Sequence, residues 1–336
     1  AFVVGDAVTG YTADGPPAAF APVVYTGNGG NQDINCGFAP DFVWIKNRDL
    51  ATDHAIFDTI RGATKNLRSN TTDAENTSAD TLTAFTATGF TVGDNARVGL
   101  DGNDYVAWCW KASDTTVTNN DGTIESQVRA GNGFSIVTYT GNLSGNGTAS
   151  VGHGLGQTPS MVITKQLDGE SRWCVMHTGL GANDLLVLNK ADASTSYPYG
   201  NLGLGDDSVF NTNYTAGMNN NGANFVAYCF AETDGSSFGS YTGVGKPNTV
   251  SITTGFEPAF LMTKPTSDDG DWAIWDNARG PSNPNGANLY ANSSNEENPD
   301  GYFVDFNSDG FTILGTTVGP SHNKTGVEYI YMAFAA

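Results

Sequence analysis

Basic residues are scarce in this chain. Of 336 residues only 15 are Lys or Arg, against 35 Asp or Glu, which leaves a formal net charge of −20. With no basic cluster to offset it, that charge repels phosphate backbones and excludes nucleic acid as an expected partner. Charge of either sign is thin as well, at 15% of residues, where ordinary globular proteins carry about 25%. The four histidines and four cysteines include no CxxC and no zinc or metalloprotease spacing, so no cofactor or resident metal is expected. No apolar run approaches the ~18 residues of a membrane span, and membrane insertion is not expected either. Convincing helical stripes with caps are also missing. Ala1 is not a methionine and no charged-then-apolar leader follows it, the pattern expected of a processed chain or a fragment.

Glycine fills the gap, with 42 residues, helped by Asn, Ser and Thr. These are residues of turns and strand surfaces. With 39% hydrophobic and 11% aromatic residues the chain can still build a packed core, so it is no disordered acidic tail. The expected fold class is all-β.

Length alone suggests about two domains at roughly 150 residues each. Self-similarity changes that count to three. Each unit opens on an aromatic-Thr-Gly step, at Tyr25-Thr26-Gly27, Tyr139-Thr140-Gly141 and Tyr241-Thr242-Gly243. A Gly/apolar/Pro turn follows, ending at Pro40, Pro159 and Pro258, and six residues beyond each proline stands Lys46, Lys165 or Lys264. Twelve residues beyond each lysine comes Asp58, His177 or Asp276. An L-x-x-N step recurs at Leu67/Asn70, Leu186/Asn189 and Leu289/Asn292, then Phe90, Phe210 and Phe311, and each unit closes on an aromatic-rich strand (YVAWCWKA, FVAYCFAE, YIYMAFAA).

The runs DFVWIK, SMVITK and AFLMTK read as sandwich-core strands. In the closing strands Val106, Trp108 and Trp110 match Val226, Tyr228 and Phe230, and Ile330, Met332 and Phe334, while Cys109 and Cys229 match Ala333. A period of two therefore turns the bulky face inward and makes the cysteines small buried thiols. Asn146-Gly147, Asp168-Gly169, Asn221-Gly222 and Asp309-Gly310 are hairpin signals. The expected architecture is three tandem antiparallel β-sandwich-like repeats. Residues 1–19 are a lead-in, 20–112 the first unit, 113–130 a polar connector, 131–232 the second unit and 235–336 the third. Beads in a row and a closed pseudo-threefold both fit this reading.

Asp58-x-x-Arg61 and Asp276-x-x-Arg279 share one pattern. They read as structural ion pairs pinning a turn, because the second unit loses both partners together, to His177 and Leu180. Gly235-Ser236-Ser237-Phe238-Gly239 matches G-x-S-x-G but joins two β units, whereas a nucleophile elbow needs a strand before it and a helix after it. Asp305 to Gly310 satisfies the first half of a calcium loop, yet the twelfth position is Thr316 in place of a bidentate Glu. It reads as a hairpin turn, on a surface acidic enough for adventitious calcium. Nothing in the chain asks to be an enzyme. Ligand or partner contacts are sought among aromatics that break the repeat, namely Tyr197, Tyr199, Tyr214 and Tyr290, which suit stacking on sugar rings or anchoring an interface.

The run YTGNGG…GFAPDFVWIKNR…FDTIRGATKNLRSN…YVAWCWKA, with its two later counterparts, resembles repeat-containing virion proteins of tailed phages, especially marine cyanophages. The resemblance covers about 20–336 and implies a tail-fibre-like structural protein on the virion surface, with other virion proteins as partners. Relatives often carry a lectin-like β-sandwich ahead of these repeats; the resemblance begins at about residue 20 here, as expected of a chain that starts mid-protein. No catalytic or ligand residue is assigned in the family, so none carries over. The leading expectation is a tail fibre or other exposed appendage, self-associating as a homotrimer. A host-receptor or polysaccharide adhesin and a capsid decoration protein, with three repeats mimicking a trimer, are the alternatives.

Overall fold

The opening strands Phe20–Thr26, Phe134–Thr140 and Ser236–Thr242 each lie antiparallel beside the closing strand of the same unit. The closing strands are Asp104–Trp110, Asn224–Phe230 and Glu328–Phe334. On the far side of each lies the strand after the proline turn, Phe42–Asn47, Met161–Gln166 or Phe260–Pro265. A fourth strand follows, Ala55–Asp58, Cys174–His177 or Ala273–Asp276. The same order therefore occurs three times along the chain. The computed structural model describes residues 20–197, 202–214, 217–299, 303–315 and 322–336. The lead-in, Tyr199 and Thr316 lie outside the described residues, among which there is no helix.

A second, smaller sheet faces each of these: Gln32–Asn35 with Gly89–Val92 and Leu82–Thr86, then Thr148–Gly152 with Val209–Asn213, then Val250–Thr253 with Gly310–Ile313 and Val304–Asn307. The protein is all-β and built of antiparallel sheets. Three local cores fill the sandwiches, one per unit. A fourth core is shared. It takes Trp44, Trp108 and Trp110 from the first unit, Ile163, Trp173 and Tyr228 from the second, and Phe260, Trp272 and Met332 from the third.

Closing strands are paired along both edges and packed on both faces. The bulky face (106, 108, 110 and counterparts) enters the shared core, while Tyr105, Ala107 and Cys109 are equally buried in the local one. The alternation here marks two cores, one shared and one local, rather than inside and outside. All four cysteines are free and buried.

The aromatic-Thr-Gly step has a local job. Tyr25 stacks on Tyr105, Tyr139 on Phe225 and Tyr241 on Tyr329, with ring centroids 5.1, 5.1 and 4.8 Å apart. Each tyrosine hydroxyl then donates to a loop carbonyl, at Val98, Met218 and His322. The glycine that follows is obligatory, because a Cβ at Gly27, Gly141 or Gly243 would stand 2.3–2.4 Å from a backbone oxygen.

Two expectations need correcting. Residues 113–130 are not merely a polar connector: Val117–Asn119 and Ser126–Ala130 pair with each other and extend the sheet of the second unit beyond Phe134–Thr140. Arg129 anchors them by donating through Nη1 to Asp41 Oδ1 at 2.7 Å, and the buried Asp41 also takes Ala112 N and Lys111 Nζ. Of the four hairpin signals, Asp309-Gly310 and Asp168-Gly169 do join paired strands. Asn146-Gly147 and Asn221-Gly222 turn the chain from one sheet of the sandwich to the other.

Candidate functional site: the seams between units

Buried charge gathers where the units meet. Asp58 is fully buried and the Arg61 side chain is 3% exposed. Asp58 Oδ1 accepts the backbone N–H groups of Ile60 and Arg61, which pins the turn, while Oδ2 accepts Arg61 Nε at 2.5 Å. The same Oδ2 accepts Tyr228 Oη of the second unit at 2.8 Å, and Arg61 Nη2 donates to that hydroxyl at 3.2 Å. Glu75 completes the set by accepting Arg61 Nη1 at 3.1 Å.

Third-unit residues repeat the arrangement against the first. Asp276 Oδ2 accepts Arg279 Nε at 2.6 Å and Trp108 Nε1 at 2.9 Å. Arg279 lies over the Trp108 ring, 5.6 Å from its centroid, and donates to Glu297 at 3.0 Å. Glu297 is also held by a bidentate pair from Arg48 at 2.8–2.9 Å. The sequence expectation of structural ion pairs at Asp58/Arg61 and Asp276/Arg279 thus describes only half of each site; the other half is a ring donor from the adjoining unit.

At the seam between second and third units the pieces differ. His177 Nε2 lies 3.1 Å from the carbonyl oxygen of Tyr331, and Gly179 N donates to His177 Nδ1 at 2.9 Å. Because Nδ1 accepts, the proton sits on Nε2 and is donated to Tyr331. Burial lowers the His177 pKa to about 4, so the ring is neutral at pH 7.

Two further contacts recur at every seam. Eight residues beyond each landmark lysine stands a ring donor, His54, Trp173 or Trp272. Trp173 Nε1 donates to Arg68 O and Trp272 Nε1 to Val187 O, at 2.9 and 3.0 Å. His54 Nε2 lies 3.0 Å from Tyr290 O, and its Nδ1 accepts Trp44 Nε1, so it donates in the same sense. In the opposite direction, the N–H groups of Glu75, Ser194 and Glu297 donate to the carbonyls of Leu167, Thr266 and Arg48. First binds second, second binds third, and third binds first.

The landmark lysines lie inside these seams, each at most 1% exposed. Lys46 Nζ donates to Asn47 O and Leu50 O, Lys165 to Gln166 O and Thr72 O, and Lys264 to Pro265, Ala191 and Asp192 carbonyls. Burial lowers all three to a pKa of about 8, each against the pull of nearby carboxylates. They are cationic at neutral pH and satisfied by carbonyl oxygens, a structural use of charge.

The tyrosines singled out from sequence do different things. Tyr197 is half-buried against the second local core, accepts a hydrogen bond from Arg172 Nη1 and carries that guanidinium over its ring at 5.1 Å. Tyr290 pairs with Ala273 in a sheet and gives its carbonyl to His54. Tyr214 is 39% exposed and stays available to solvent. Ser237 lies within the third opening strand, its hydroxyl 3.2 Å from Tyr331 Oη, and forms no nucleophile elbow. The segment from Asp305 is a hairpin, with Asn307 opposite Gly310. Where the ends of the sheets converge, a cavity of about 580 Å³ is lined by Phe20, Trp110, Phe134 and Phe334 with Glu232 and Asp234 at its edge.

No curated protein and no solved structure matches the chain. A family described as Domain of unknown function (DUF7483) matches residues 16–336, which span the three units and their seams. The chain belongs to that family.

Proposed function

We propose that this chain is a non-enzymatic structural protein of a phage particle, in which three similar units on one chain stand in for a trimer. The observation that carries the reading is the shared core. Residues at matching positions of three units (Trp108, Tyr228 and Met332 among them) meet in one cluster, and the seams around it use the same backbone contacts. Such a body presents pseudo-threefold geometry without needing two further copies. That suits a threefold position on a capsid better than the stalk of a homotrimeric fibre, where three chains supply the symmetry. The motif-level resemblance to phage virion proteins supplies the particle. Ionisable side chains at the seams support a non-catalytic role, since Asp58, Arg61 and Asp276 take ring-borne partners from the adjoining unit and Lys165 and Lys264 donate to carbonyls of the unit before them.

Two measurements test this. Light scattering on the purified chain is expected to give the mass of one copy; an obligate trimer overturns the stand-in reading. Antibody labelling of intact particles is expected to decorate the virion; signal confined to lysate overturns the particle reading. A polysaccharide-binding role rests on Tyr214, exposed in a turn of the second unit, and Tyr214→Ala is expected to weaken adsorption to host cells if that role is real.

A further inference from the structure

The three seams are alike in their backbone contacts and unlike in one set of side chains, and the unlike set changes as a block. Where the turn carries Asp, Arg and a following Glu (Asp58/Arg61/Glu75 and Asp276/Arg279/Glu297), the adjoining closing strand offers a ring donor, Tyr228 or Trp108. Where the turn carries His177, Leu180 and Ser194, the matching residue of the adjoining strand is Met332, whose thioether has no proton to give. His177 accordingly donates to the backbone carbonyl one residue earlier, at Tyr331. Four positions, far apart in sequence and on two units, alter together.

We infer that these four positions form a recognition code by which each unit selects its neighbour: a buried carboxylate–guanidinium turn accepts a strand bearing an O–H or N–H donor, and a His/Leu turn accepts a strand bearing methionine. Buried charge explains the selectivity. Asp58 Oδ2 and Asp276 Oδ2 are out of water and already take one guanidinium N–H each; facing methionine, each would lose its second donor with nothing to replace it. Conversely, a tyrosine or tryptophan facing Leu180 would bury an unpartnered donor. Mismatched neighbours are therefore penalised in both directions, which gives the seams specificity as well as adhesion. The inference is independent of any role in a particle.

A double-mutant cycle on the full chain tests it, read by urea unfolding followed by tryptophan fluorescence. Tyr228→Met alone strips the donor from the first seam and is expected to lower the folded-to-unfolded ratio about tenfold to a hundredfold, as for lost hydrogen bonds to charged groups. The combined variant D58H/R61L/E75S/Y228M converts that seam to the second type and is expected to regain most of the loss. At the other seam, M332Y alone is expected to destabilise and H177D/L180R/S194E/M332Y to recover. Strict additivity, with each combined variant no more stable than the sum of its parts, overturns the code. Should Y228M not fold, the milder Tyr228→Phe settles the question, since removing the hydroxyl must cost stability in the native background and nothing beside D58H/R61L/E75S. Equal costs in the two backgrounds overturn the inference.

Discussion

Along the first closing strand, Val106, Trp108 and Trp110 face the core that all three units share, whereas Tyr105, Ala107 and Cys109 face the core of their own sandwich. Both faces are equally dry, yet their contents differ. The shared face is wide and aromatic: Trp110 alone has ring centroids within 6.1 Å of Phe20, Phe42, Phe230, Phe260 and Phe334, which come from all three units. The local face of the same strand sets the small Ala107 and Cys109 beside Tyr105. A defect on the shared face is felt by three units at once, while one on the local face is felt by the sandwich that holds it. The chain should accordingly unfold as one body, with its most sensitive positions at the centre.

Trp108→Ala breaks that comparison most severely. It opens a large cavity in the shared core and removes the second donor from buried Asp276, and should cost about 4 kcal/mol or more. Calorimetry is expected to register a single transition displaced as a whole; a separate early transition for the first unit would deny the coupling. Acid should act next, through the seams. With a folded pKa of about 4 against the usual 6.5, His177 is left unprotonated in the native state while the unfolded chain binds a proton. Stability therefore falls as pH drops from 6.5 to about 4, by on the order of 3 kcal/mol from this residue, and levels off below. His54, lowered to about 3 by burial and by the charge of Lys46, acts in the same direction. In His177→Gln, which keeps a donor and an acceptor, the urea midpoint should fall less steeply over that window.

Ile45→Val trims one methylene from the local core of the first unit and should cost only about 1 kcal/mol, measured as a shift of the urea midpoint with an unchanged slope. Tyr214→Ala, at an exposed turn, should move stability by less than about 0.5 kcal/mol. A larger loss would mean that Tyr214 is part of the packing after all.

Much of the fold was legible because each landmark has a fixed physical task. The tyrosine of the opening step stacks on the closing strand, and the glycine after it faces a carbonyl at a distance no Cβ tolerates. Paired loss of Asp and Arg in the second unit pointed to the two turns at which Asp58 and Arg61, and Asp276 and Arg279, lie in ion-pair contact. What periodicity could not reveal was the second partner of that pair, because Tyr228 and Trp108 read as ordinary core aromatics until the neighbouring unit is placed beside them. The ring donors His54, Trp173 and Trp272 were overlooked although they stand at a constant spacing from the lysines. Their shared property is an N–H on a ring, not residue type, and a search for donors would have found them. Residues 113–130 hid their strands for a different reason: paired at a sheet edge with one face in water, they need few apolar residues to hold their register.

The ring of Phe20, at the start of the first opening strand, lies 5.3 Å from that of Phe334, at the end of the last closing strand. Between the second and third units, residues 231–235 make the corresponding connection from Phe230 to Ser236. Chain connectivity is thus a detail of this architecture rather than its foundation. A circularly permuted gene, joined across the Phe334–Phe20 gap and opened within 231–235, would place every unit beside the same two neighbours. Such a permutant is expected to fold to the same body, so that the order in which a ribosome delivers the three units matters less than the partner each seam meets.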